Sequence, residues 1–281
     1  MIKMKMYLDL LRFVESNNKK LFCIYCGTET YVLNNIGICS NCENIISLPS
    51  SVLIKQDPEA VSKISAINEK LSNQNITETD FEEAIKIYDE LIAKKNNLGY
   101  LYAKALLLIK YSNYLINQIN YNKQGFMDEN SELNEKSIKL VSDSKLLLYK
   151  IISTCNANIN SNINSFNEIY LMFSANIKLN NFKAAQSSLN LIKNFNEIFI
   201  LEYSQLIFNI AIKNYENATN NAKNLLMHDN FSINALFYYS FVLFNKKEFK
   251  QSKNILQQLQ KYIKNDNIKN LIQDIAIKQN L

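Results

Sequence analysis

Apolar residues beyond residue 58 recur at steps of three and four with polar residues between them, the period of one helix face, so this part of the chain reads as helix after helix. The first of these helices has a marked start at Asp57-Pro58-Glu59, which supplies a capping side chain, a proline at the first helical position and an acid in the first turn. Within the helical part an aromatic residue is followed three positions later by a small one at Phe81/Ala84, Phe182/Ala185, Tyr215/Ala218 and Phe249/Ser252. The intervals are 101, 33 and 34 residues, and the first is close to three times 34, so the period calls for aromatics near 114 and 148, where Tyr114 and Tyr149 stand. The rhythm breaks over Ile119 to Lys136, which holds Gly125 and the acids Asp128, Glu129, Glu132 and Glu135 and is expected to be a loop or a lengthened connection. Near the end, Ile268, Leu271, Ile272 and Ile275 share one helix face opposite Lys269, Asn270, Gln273 and Lys278, as a capping helix would.

The N-terminal part has a different pattern. Met6, Leu10, Phe13 and Val14 make one apolar face of a short helix over 1–18, and Asp9, Arg12 and Glu15 interrupt the continuous run that a signal peptide needs. Phe231 to Phe244 is too short and too polar to span a bilayer, so no membrane span and a cytoplasmic location are expected. Over 19–48 the helical period gives way to β-prone Thr28 to Leu33, an Asn34-Asn35 turn signal and a return through Ile36 to Ile38. Residues 49–57 read as a linker to a helical domain over 58–281.

Four cysteines lie in this N-terminal stretch as two Cys-x-x-Cys pairs, Cys23/Cys26 and Cys39/Cys42, twelve residues apart. Two knuckles of this kind aim four sulfurs at one ion, and Gly27 follows the first pair where the backbone must bend. Residues 20 to 48 resemble a zinc ribbon, and the resemblance implies one structural Zn2+ with no open coordination position. Iron is the rival metal: rubredoxins use the same four sulfurs, and Cys23-Ile24-Tyr25-Cys26-Gly27 fits their first half, but Cys39-Ser40-Asn41-Cys42-Glu43 lacks their proline and second glycine. Two disulfides are the remaining alternative, disfavoured by the fifth cysteine, Cys155, which reads as a buried small apolar group.

The 34-residue period with its aromatic and small positions resembles the tetratricopeptide repeat, a pair of antiparallel helices, over about 58 to 262. First-helix positions match as Tyr170, Phe173, Ser174 and Ile177, then Tyr203, Leu206, Ile207 and Ile210, then Leu236, Tyr239, Ser240 and Leu243. The family's tryptophan, first-helix glycine and closing proline are missing. The expected fold class is mainly α: a right-handed α-solenoid of tetratricopeptide-like helix hairpins with a small N-terminal β zinc ribbon. The resemblance implies a concave groove for a protein or peptide partner, with Ser204, Phe208, Asn234, Phe237, Phe241 and Phe244 at the family's groove positions.

Composition removes other classes. Four glycines and two prolines leave no glycine-rich phosphate loop, dinucleotide-binding turn or turn-rich β-sandwich, and a single histidine (His228) excludes paired-histidine zinc hydrolases. No nucleophile is tied to His228-Asp229, so no enzyme is expected. The net charge of +5 sits in residues 246–281, where eight Lys face Glu248, Asp266 and Asp274, and the rest of the chain is neutral. This makes a nucleic-acid adaptor the alternative function, with the ribbon as reader and Lys246, Lys247, Lys250, Lys253, Lys261 and Lys264 as the clamp, although one arginine (Arg12) provides few planar forks for phosphate.

Overall fold

The computed structural model describes residues 19–26, 28–32, 36–39, 41–47, 58–71, 76–121, 127–161, 165–195, 197–227, 233–262, 272–273 and 275, and the chain is mainly helical. The expected helix over 1–18, the linker over 49–57 with its Asp57 cap, Gly27 and His228-Asp229 lie outside the described residues.

Four short strands precede the helices. β1 (Lys19–Phe22) pairs antiparallel with β2 (Glu29–Val32), and β3 (Ile36–Ile38) pairs with β4 (Ile45–Ser47). Each ladder therefore joins the strands on either side of one Cys-x-x-Cys pair. The expected pairing across Asn34-Asn35 is corrected: β2 and β3 are neighbours without a shared ladder.

The helices are α1 (Pro58–Lys70), α2 (Glu78–Lys94), α3 (Leu98–Tyr121), α4 (Met127–Asn160), α5 (Phe166–Lys178), α6 (Phe182–Ile192), α7 (Ile198–Ala211), α8 (Tyr215–Met227), α9 (Ile233–Asn245) and α10 (Phe249–Tyr262). Local chemistry sets several starts. The Asp80 carboxylate accepts the Thr77 backbone N–H at 2.9 Å ahead of α2, and Ser165 Oγ accepts Glu168 N–H at 3.2 Å ahead of α5. The expected loop or lengthened connection is corrected for residues 119–121 and 127–136, which are helical, with the acidic run at the start of the 34-residue helix α4, while residues 122–126 with Gly125 lie outside the described residues. From α4, Lys136 reaches across to Glu78 at 2.8 Å and Glu82 at 2.9 Å on α2. Extending the 34-residue period through this region fails for the same reason: in the long helix Leu148 is buried and Tyr149 is 59% exposed.

From α5 onward the period holds and has a structural cause. The α5–α6, α7–α8 and α9–α10 turns each place a residue in the left-handed region: Asn180 (φ 56), Lys213 (φ 61) and Lys247 (φ 65). Each turn also closes with the same bond, from Asn181, Asn214 and Glu248 N–H back to the carbonyls of Asn176, Asn209 and Leu243 at 2.8–2.9 Å. This is one helix-ending motif, repeated at intervals of 33 and 34 residues. Immediately after it, Ala185, Ala218 and Ser252 are fully buried where the second helix meets the first, and Ser252 Oγ donates to the Ser240 carbonyl at 2.7 Å.

The core is continuous from strands to helices. Tyr25 and the four N-terminal cysteines share one apolar cluster with Ile64, Phe81, Tyr88 and Tyr111 of α1–α3, where Phe81 and Tyr111 stack at 4.6 Å. Leu101, Ile151, Cys155 and Leu171 join α3, α4 and α5. A further cluster runs from α5 to α10, takes in Ile38 of β3 and Ile45 of β4, and ends on the fully buried Ile275 of the expected capping segment. The cysteine segment and the helices beyond the linker thus share core rather than folding around separate ones.

Ala218→Leu is expected to overpack the α7–α8 contact and cost about 1–3 kcal/mol, read from urea denaturation; a change of a few tenths would contradict the packing role. Lys213→Gly should raise stability by up to about 1 kcal/mol, because glycine removes the left-handed steric cost at an exposed turn.

Candidate metal centre

The two knuckles are built alike. Cys23 N–H donates to the Thr28 carbonyl at 2.9 Å, and Cys39 N–H donates to the Asn44 carbonyl at 3.0 Å, so each Cys-x-x-Cys turn is closed by a bond to the fifth residue on. After the second pair, Glu43 takes φ 55 and its N–H returns to the Cys39 carbonyl at 3.0 Å. Gly27 holds the corresponding place after the first pair in the sequence.

All four sulfurs converge. The Sγ atoms lie within 4.8 Å of one another, with Cys23 and Cys42 at 3.5 Å and Cys26 and Cys39 at 3.3 Å, and the side chains are 0–2% exposed. Metal–sulfur bonds of about 2.3 Å in a tetrahedron put sulfurs about 3.8 Å apart, so the donor set fits an ion such as zinc with little movement. Burial pushes the Cys23 and Cys42 thiols well above the ordinary thiol range, and the neighbouring sulfurs add to the shift at Cys42. At Cys26 burial opposes ionisation, but bonds from Cys23, Cys39, Cys42 and Thr28 outweigh it and hold the thiol well below that range. A divalent cation held here would supply a counter-charge and favour the thiolate at every position. None of the five cysteines forms a disulfide.

Helices complete the shell around the cysteines. Asn44 Nδ2 donates to Cys42 Sγ at 3.2 Å and to the Gly99 carbonyl at 3.3 Å. Tyr88 of α2 donates its hydroxyl to the Tyr25 carbonyl at 3.1 Å, and Asn68 of α1 donates to the Cys26 carbonyl. Carbonyls that a tight knuckle leaves without partners are thus satisfied by the helical body. A Cβ at Gly99 would overlap the Tyr25 ring, so the first turn of α3 needs glycine for this close approach.

Glu43 extends the shell toward the second half of the molecule. One oxygen accepts the Tyr102 hydroxyl of α3 at 3.1 Å and the other accepts Lys178 Nζ at the end of α5 at 2.9 Å. It also borders a cavity of about 140 Å³ between α5, α7 and α9.

No family model matches the chain, and no curated protein or solved structure matches it either.

Of the residues singled out from sequence, the structure brings Cys23, Cys26, Cys39 and Cys42 to one point. Ser204 is fully buried, while Phe208, Phe237, Phe241 and Phe244 are partly buried against the α5–α10 core; the Asn234 side chain lies outside the described residues. The cavity on these helices is walled instead by their neighbours Tyr203, Ile207 and Tyr238. Among the C-terminal lysines, Lys246 pairs with Glu216 at 3.1 Å and Glu248 at 3.6 Å; Lys261 belongs to α10 with its side chain outside the described part, and Lys264 lies outside the described residues. Cys155 is buried as expected, and burial, then the Glu168 charge, push its thiol up to about 12. Sequence reasoning missed Asn44, Asn68, Tyr88, Tyr102 and Lys178. Only Glu43 carried a signal, as the occupant of the place that glycine holds in the first knuckle.

Metal removal is expected to loosen α1–α3 together with the strands, because they share the cysteines' cluster. Hydrogen exchange after chelation should show lost amide protection in α1 and α2 with α7–α10 largely retained; unchanged protection in α1 and α2 would contradict the shared core.

Proposed function

We propose that this chain is a non-catalytic interaction or scaffold protein in which a zinc ribbon, held by one structural Zn2+, anchors a right-handed solenoid of tetratricopeptide-like hairpins that binds a peptide or protein. The observation that carries the reading is the identical turn at Asn180, Lys213 and Lys247, which repeats a helix hairpin and leaves the first helices α5, α7 and α9 bordering one cavity. Packing between α7 and α9, as well as between successive helices, supports a stacked arrangement. Phe208, Phe237, Phe241 and Phe244, all partly buried, are the proposed flanks of the groove, with Asn234 at its end and Ser204 beneath it.

Zinc is preferred to iron because the donor set is closed and the segment lacks the proline and second glycine of rubredoxins. Five unbridged cysteines support a reducing, cytoplasmic setting. Among the described residues no helix is long and apolar enough to cross a membrane. The nucleic-acid reading has less support, since Lys246 is already paired with acids.

Protein purified without added metal should carry about one equivalent of zinc; a red iron–thiolate spectrum would overturn the zinc assignment. A displayed peptide library should yield ligands whose affinity changes little between low and moderate salt. Binding only to RNA or DNA, falling steeply with salt, would favour the nucleic-acid adaptor instead.

A further inference from the structure

The cavity beside Glu43 has a definite chemistry. Tyr170, Tyr203 and Tyr238 give it aromatic walls, and Ile177, Ile207 and Ile210 give it aliphatic ones. Among the described residues, Glu43 is the acidic lining group and Lys178 the basic one. Its volume, about 140 Å³, is close to that of cavities of about 150 Å³ that take one benzene-sized group. A single long side chain fits; a folded element does not.

An ammonium group already sits on the carboxylate, since Lys178 Nζ lies 2.9 Å from Glu43. Lys178 belongs to the last turn of α5 and its side chain is 31% exposed, so this pair is screened by solvent and weak enough to be exchanged. Glu43 cannot withdraw in the same way. Its backbone is held by the knuckle, its second oxygen by Tyr102, and its side chain is 24% exposed. The fixed partner is the acid and the replaceable one is the amine. Tyr170 and Tyr238 line the same cavity as the Glu43 carboxylate, and burial first, then the Glu43 charge, push their hydroxyls up. Aromatic faces beside a carboxylate attract a cation, while isoleucine walls suit the alkyl stem behind it.

We propose that this cavity receives a lysine side chain of the bound peptide, whose ammonium displaces Lys178 from Glu43 while its stem lies along Ile177, Ile207 and Ile210. The proposal rests on the peptide-binding reading above and specifies what that groove selects.

Two neighbouring side chains should then act with opposite signs. The probe is a fluorescein-labelled pentapeptide with blocked ends and a central lysine between alanines, titrated by anisotropy beside the same peptide carrying Nε-acetyl-lysine or norleucine. The lysine peptide should bind at least about tenfold more tightly than either neutral analogue. Glu43→Gln should weaken it at least about tenfold, and Lys178→Met should tighten it about twofold to fivefold by removing the competitor. Equal binding of the norleucine peptide would overturn the lysine proposal while leaving an apolar peptide groove in place. Failure of all three peptides would overturn it as well, and the library screen alone then decides whether any peptide binds. If Glu43→Gln melts early, Lys178→Met at the chain's surface decides: unchanged or weaker binding of the lysine peptide overturns the proposal.

Discussion

The convergence of four buried cysteine sulfurs on one point is the constraint on which the rest of this structure depends. Ionised, they would place several negative charges in an apolar cluster; neutral, they would leave a knot of poor hydrogen bonds under the first three helices. A divalent cation held by the four sulfurs would resolve both problems, at the point where the Tyr25 ring and the Cys26 carbonyl meet α1, α2 and α3. The strands are too short to supply a core themselves, with three or four residues each. They borrow one from the helices and give in return a rigid surface for those helices to cover.

The second half of the molecule solves a different problem by repetition. Each hairpin accepts one residue in the left-handed region in order to reverse the chain within a few residues, and it places a small side chain just after the reversal so that the two helices approach closely. Asparagine, at Asn180, tolerates that backbone at modest cost; lysine, at Lys213 and Lys247, pays more and is retained where the turn is exposed. Because every reversal is made in the same way, successive first helices stack on one side, and residues of α5, α7 and α9 come to border one cavity.

Glu43 joins these halves. Its backbone conformation is demanded by the knuckle, while its carboxylate spans from Tyr102 of α3 to Lys178 of α5. One residue thus couples the geometry of the cysteine centre to the electrostatics of the cavity, and anything that disturbs the knuckle moves the acid that charges the cavity.

The sequence by itself determined the elements whose signals are local. The Cys-x-x-Cys spacing identified all four sulfurs that converge, the three-and-four periodicity identified the helices, and the aromatic-to-small spacing marked Ala185, Ala218 and Ser252 as contact points. It misjudged residues 127–136, where acids that suit a loop equally suit the start of a helix, and Tyr149, where a period was extended across helices of another length. Tertiary structure alone decided which strands share ladders, that the cysteines lie in the same core as α1–α3, and that Lys178 meets an acid 135 residues earlier in the chain. The physical reason is range: capping, periodicity and ligand spacing act within a few residues, whereas the fit of one apolar surface to another, and the charges it brings together, depend on the folded path of the whole chain.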